Sequence, residues 1–145
     1  MQSQTSLKVF KFLAGFISAY HFILALIGIF GSSNLITRVI NSVYGVFPEI
    51  NNQFLYLAKF ISAYMIVFSI AMALLAWKPV QYRNLVWLPI TLFGIRIIQR
   101  LVFFDLINET FQTTAARNLQ VIIPIAVLLV ALLYFRPREY STATS

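Results

Sequence analysis

The stretch Phe93-Gly94-Ile95-Arg96-Ile97-Ile98-Gln99-Arg100-Leu101-Val102-Phe103-Phe104 decides how this chain is read. It is apolar enough for a membrane helix yet carries two guanidinium groups, which stay charged at any pH a cell reaches. On a helix, positions three and four apart are neighbours, so Arg96, Gln99 and Arg100 project from one face. A face with two charges and an amide turns away from lipid and toward other protein.

Composition supports the membrane reading. The 145 residues are 60% hydrophobic and 10% charged, with a mean hydropathy of +0.83, beyond what a soluble domain of this size carries. Three further apolar runs match the roughly 20 residues that a helix needs to cross a bilayer core about 30 Å thick. The expected spans are residues 9–30, 56–77, 85–106 and 119–135, giving an all-α, integral membrane four-helix bundle in a single domain. The first run lacks an Ala-x-Ala-type cleavage site at its end and reads as a retained helix.

Working outward, the loop after the first span is too long for a simple hairpin. Ser33 is positioned to cap a short interfacial helix over residues 34–44, whose apolar face holds Leu35, Ile36, Val39, Ile40 and Val43. Pro48 and Asn51-Asn52-Gln53 then turn the chain back. At the opposite end, Trp77-Lys78-Pro79-Val80-Gln81-Tyr82-Arg83 forms a tight turn with aromatic anchors. Pro89, Gly94 and Pro124 are each able to loosen a helical turn. The polar tail, residues 138–145, reads as disordered.

Leu13-Ala14-Gly15-Phe16-Ile17-Ser18-Ala19-Tyr20 matches Leu57-Ala58-Lys59-Phe60-Ile61-Ser62-Ala63-Tyr64 at seven of eight positions. The copies lie on antiparallel helices, so they are either halves of an inverted pair or a coincidence of common membrane residues. In both cases Ala14, Ser18, Ala58 and Ser62 are small residues four apart, which let the first two spans pack directly.

Charge fixes an expected orientation. Lys8, Lys11, Lys78, Arg83, Arg136 and Arg138 flank one side, against Arg38, Lys59 and Arg117 on the other. The positive-inside rule then places both termini in the cytoplasm, in a bacterial inner membrane or an equivalent energy-coupling membrane. The net charge of +7 is mostly topological and does not point to nucleic acid.

Depth weights the arginines. At about 1.5 Å per residue from a span end near Leu106, Arg100 lies roughly 9 Å and Arg96 roughly 15 Å inside. Arg100 can snorkel and Arg96 cannot, so Arg96 is expected to matter more for integrity or ligand retention. Apolar side chains favour insertion by about 0.5 kcal/mol each, and two arginines at about 3 kcal/mol each cancel most of that, so the helix relies on neighbours. Candidate neighbours at similar depth are Ser18, Tyr20 and His21 in the first span and Ser62 and Tyr64 in the second. These accept hydrogen bonds without neutralising charge. Two readings stay open: a structural pair with Asp105, Glu109 or Glu49 reaching in, or a pocket for an anionic or carbonyl-bearing amphiphile such as a lipid or quinone. In the second, Arg96, Gln99, Arg100, Tyr20, His21, Tyr64 and Ser62 are the ligand-binding residues.

Other classes lack raw material. Cysteine is absent, and His21 is the single histidine, which leaves no thiol chemistry, no bis-histidine haem site and no set of metal ligands. Its own role is either that of a hydrogen-bonded core residue or that of a ligand contact. No catalytic constellation or phosphate loop is present, and no span holds the acid that cation-coupled export needs. The expected function is therefore non-catalytic: an accessory subunit of a larger membrane complex, or a binder of membrane lipid or quinone. The alternative is a small homo-oligomeric anion channel or transporter, since arginines line anion pores.

Lys78-Pro79-Val80-Gln81-Tyr82-Arg83-Asn84-Leu85-Val86, followed by Phe93-Gly94-Ile95-Arg96-Ile97-Ile98-Gln99-Arg100, resembles the pattern of the BphX-like family of small bacterial membrane proteins, and more loosely the DoxX-like four-helix group. Length and helix count extend the resemblance over nearly the whole chain, while these two stretches are its specific part. It implies a four-helix membrane bundle of largely undefined biochemical role, sometimes associated with oxidative metabolism or quinones. DoxX-related redox members use cysteine pairs, so their chemistry does not carry over to a chain without cysteine.

Overall fold

The computed structural model describes residues 4–137 and is all-α; the tail expected to be disordered lies outside these residues. Helix α1 runs Gln4–Phe30, α2 runs Ser33–Val39 and continues as a π-helical turn Ile40–Tyr44, and α3 runs Asn52–Trp77. A short 3-10 turn, Arg83–Val86, leads into α4, Trp87–Val102; α5, Phe104–Phe111, and α6, Ala115–Phe135, complete the order. Four segments are long and apolar enough to cross a membrane: α1, α3, the 3-10 turn with α4, and α6. The protein is a membrane-type helical bundle. The bundle end carrying α2 and the α5–α6 link is called the cap end here, and the other the turn end.

Three of these helices start earlier than hydropathy alone places them, at Gln4, Asn52 and Ala115. Polar residues cap the extra turns of two of them: Asn51 Oδ1 accepts from the Phe54 N–H at 2.8 Å, and Thr114 Oγ1 from the Arg117 N–H at 3.3 Å. The cap of α2 is Ser32, not Ser33, and its Oγ accepts from the Leu35 N–H at 3.4 Å. The third span departs furthest from expectation, since α4 stops at Val102 and Phe103 breaks the chain before α5. No proline or glycine causes this break; it falls where the apolar run gives way to Asp105, Asn108 and Glu109. Pro89 lies in the first turn of α4, where its missing N–H costs nothing, and α6 continues as helix through Pro124.

Helices α1 and α3 pack along their whole length, through the small residues expected to do so. Ser18 Oγ donates to the Ser69 carbonyl at 2.7 Å, Gly15 faces Ala76, Gly28 lies on Ser62 and Ala58, and Lys59 Nζ donates to the Ile29 carbonyl at 2.6 Å. The two copies of the sequence echo therefore do not touch. Leu13–Tyr20 packs on the turn-end half of α3, and Leu57–Tyr64 on the cap-end half of α1. That reciprocity is what a two-fold relating antiparallel helices requires.

A second pair forms between α4 and α6, with α6 also touching α1. The buried core joins the pairs only toward the turn end, where Phe10, Ala14, Ile17, Phe68, Met72, Leu75, Val86, Phe93 and Leu132 cluster. At this end Arg136 stacks on Trp87 and Lys78 on Trp77, at 5.2 and 4.3 Å from the ring centroids. Large apolar side chains such as Phe12, Val67, Ile98 and Val130 stay exposed around the bundle, as lipid-facing residues do.

Candidate functional site

Toward the cap end the bundle is not filled by core. There α3 and α4 scarcely touch along their lengths, and the space between them is a cavity of about 1000 Å³. Its walls are His21, Leu24 and Gly28 from α1, Leu57, Ala58, Ile61, Ser62, Met65 and Phe68 from α3, and Leu88, Thr91, Ile95, Arg96 and Gln99 from α4. The π-helical turn and the end of α2 roof it with Ile36, Val39, Ile40 and Tyr44. Helix α6 contributes nothing. Leu57, Ile61, Tyr64 and Ile95 border the cavity and are also exposed on the bundle surface, so it opens sideways between α3 and α4.

The roof is tied to the α4–α6 side. Arg100 Nη2 donates to the Tyr44 carbonyl at 2.5 Å, Thr113 Oγ1 to the Gly45 carbonyl at 2.7 Å, the Phe47 N–H to the Phe111 carbonyl at 3.1 Å and Arg117 Nη2 to the Asn41 carbonyl at 3.4 Å. Helix ends leave carbonyls without intrahelical donors, and the end of the π-helical turn supplies such acceptors here. Gly45 stops that turn in the left-handed region, at φ 65°, which glycine enters without strain.

The two arginines have different work. Arg100 Nη1 donates to Asn118 Oδ1 at 2.7 Å, and Asn118 Nδ2 returns a bond to the Arg100 carbonyl at 3.2 Å. Arg100 thus bolts α4, α6 and the roof together, and it does not line the cavity. Arg96 does line it, and its guanidinium lies 5.3 Å from the centroid of the Tyr44 ring. A π face stabilises a cation by about 0.5–2 kcal/mol but supplies no counter-charge. Asp105, Glu109 and Glu49 make no ion pair with either arginine. Asp105 and Glu109 belong to α5, beyond the break at Phe103, and at about 100° per residue they fall roughly 140–180° around from the arginines even on a continuous helix, while Glu49 lies in the loop before α3.

Of the other expected ligand-binding residues, His21, Ser62, Tyr64 and Gln99 are brought to the cavity. Tyr20 is not: it stacks on Phe16 and meets the His21 ring edge-on at 5.5 Å. Ser62 Oγ is engaged by the Ala58 carbonyl at 2.7 Å. His21 is buried between Phe68 and Phe93, at 4.7 and 6.3 Å between ring centroids, and its Nδ1 lies 2.9 Å from the Ile17 carbonyl. A carbonyl only accepts, so Nδ1 carries the hydrogen and Nε2 of the neutral ring keeps its lone pair.

Sequence reasoning missed Tyr44 and Asn118. Asn118 lay one residue before the expected start of the last span, and its position after the Thr114 cap was the available signal. Tyr44 had no signal, because its backbone carbonyl and ring, not a polar side-chain pattern, make the contacts. Comparison of the chain with family models, with curated proteins and with solved structures finds no match.

Proposed function

We propose that this membrane protein is a non-catalytic binder of a lipid-like amphiphile, held in the cleft between α3 and α4 with its polar group at Arg96. One observation carries the reading: a permanently charged guanidinium borders a large, mostly apolar cavity, and its partner within the protein is a neutral ring. A charge in such surroundings is costly unless paired, and an acceptor-bearing ligand supplies the pairing. The cavity volume, about 1000 Å³, is at the upper end of ligand pockets. The sideways opening supports entry from the bilayer. The basic residues favour a cytoplasmic turn end and a cap end on the opposite side.

Native mass spectrometry from a mild detergent tests the proposal. Wild-type protein is expected to retain a stoichiometric lipid-like adduct, and Arg96→Leu to lose about nine-tenths of it, the equivalent of one charge-assisted contact. Equal adduct occupancy in the two proteins, or none in wild type, overturns the binding site. Anion flux in proteoliposomes that is abolished by Arg96→Leu would replace this reading with a channel.

A further inference from the structure

We infer that the amphiphile is a long-chain monocarboxylic acid, its carboxyl group held between Arg96 and His21. This rests on the lipid-binding reading above and narrows it to one chemical class. Two polar side chains of opposite hydrogen-bonding sense line the cavity, and no described residue hydrogen-bonds the Arg96 guanidinium or His21 Nε2. Arg96 offers N–H donors and a positive charge beside the Tyr44 ring. His21 offers the Nε2 lone pair, because Nδ1–H is committed to the Ile17 carbonyl at 2.9 Å. A ligand that satisfies both brings an acceptor for Arg96 and a proton for Nε2 within one small group.

A carboxylic acid does this. One oxygen accepts from the guanidinium, and the acid's own proton lies between the other oxygen and Nε2, so no further proton donor is required. When that proton passes to Nε2, the carboxylate becomes the counter-charge that no described residue places beside Arg96, and the His21 imidazolium is its second partner. An ester or ketone brings no proton, an alcohol brings no charge, and a zwitterionic headgroup sets a second cation against Arg96. A phosphodiester accepts from the guanidinium but is ionised and brings no proton for Nε2. Depth favours a small headgroup too: at about 1.5 Å per residue, Arg96 lies roughly 9 Å from the end of α4 and His21 roughly 14 Å from the end of α1. The apolar tail then lies along Leu88, Ile95 and Ile61, where the cleft opens on lipid.

The test uses the Trp77→Phe protein in detergent, in which Trp87 at the cavity is the remaining tryptophan. Brominated palmitic acid quenches Trp87, and palmitic acid, methyl palmitate and hexadecanol compete with it. The acid should displace the quencher at a concentration about tenfold lower than the ester or the alcohol, as one charge-assisted hydrogen bond implies. That preference should shrink to within about twofold in Arg96→Gln and in His21→Phe, and partly return in His21→Gln, which restores an acceptor. Circular dichroism of each variant separates lost binding from lost fold, and His21→Gln decides the case if His21→Phe unfolds. Competition by the ester equal to that by the acid overturns the carboxylic acid and leaves the lipid reading standing. Competition by none of the three overturns both, and an undiminished preference in the folded His21 variants removes His21 from the site.

Discussion

Arg100 and Asn118 hold each other by a side-chain bond in one direction and a side-chain-to-backbone bond in the other, and Asn118 is buried. Removing either partner leaves a polar group without its mate in an apolar bundle. Hydrogen bonds to a charged group contribute about 1.5–3 kcal/mol, so Arg100→Leu and Asn118→Leu should each lower the thermal midpoint in detergent by that order of stability. The double variant should lose less than both losses together, with a coupling of about 0.5–3 kcal/mol. Additive losses would mean that the two side chains do not act as a unit. Arg96→Leu, which breaks only the contact with the Tyr44 ring, should leave the delipidated protein melting within about 1 kcal/mol of wild type. Depth alone assigned the greater importance to Arg96; the contacts divide it, giving integrity to Arg100 and the cavity to Arg96.

Between elements, the closest approach is α1 on α3 at Gly28. A Cβ there would stand 1.8 Å from Ser62 Oγ and 2.9 Å from Ser62 Cβ. The hydroxyl can rotate away, but the Cβ moves only with the helix backbone, so Gly28→Ala must separate α1 and α3 beside the cavity. Overpacking of this kind costs about 1–3 kcal/mol, read as a lower thermal midpoint. Gly15→Ala is the control, because its Cβ would meet Ala76 Cβ at an ordinary 3.9 Å. Equal effects of the two substitutions would argue against the observed register. This contact was half legible in advance. The small residues at Ala14, Ser18, Ala58 and Ser62 announce a close helix pair, but Gly28 as the partner of Ser62 follows from the antiparallel register, which no local pattern encodes.

For the whole molecule, the two helix pairs share a core at the turn end and diverge toward the cap end, where the roof bridges them. The turn end carries Lys8, Lys11, Lys78, Arg83 and Arg136, and the orientation proposed from them is open to direct test. A cysteine introduced at Asn52 in the cysteine-free chain should react with a membrane-impermeant thiol reagent in intact cells, and one at Gln81 should react only after permeabilisation. The opposite pattern would invert the proposed orientation.

The sequence by itself determined that this is a helical membrane protein, because crossing a hydrocarbon core demands long apolar runs and a closed set of backbone hydrogen bonds, and both are local properties of the chain. It also determined that Arg96, Gln99 and Arg100 share a face, since helical spacing is fixed by 3.6 residues per turn. Tertiary structure decided what that face meets. The partners of Arg100 are the carbonyl of Tyr44, freed at the end of a π-helical turn, and the amide of Asn118 on a distant helix. The break at Phe103 ended α4 early without any proline or glycine to announce it. The cavity itself arises from the contact that α3 and α4 do not make, and a gap between two helices is a property of how they cross, which no single stretch of residues records.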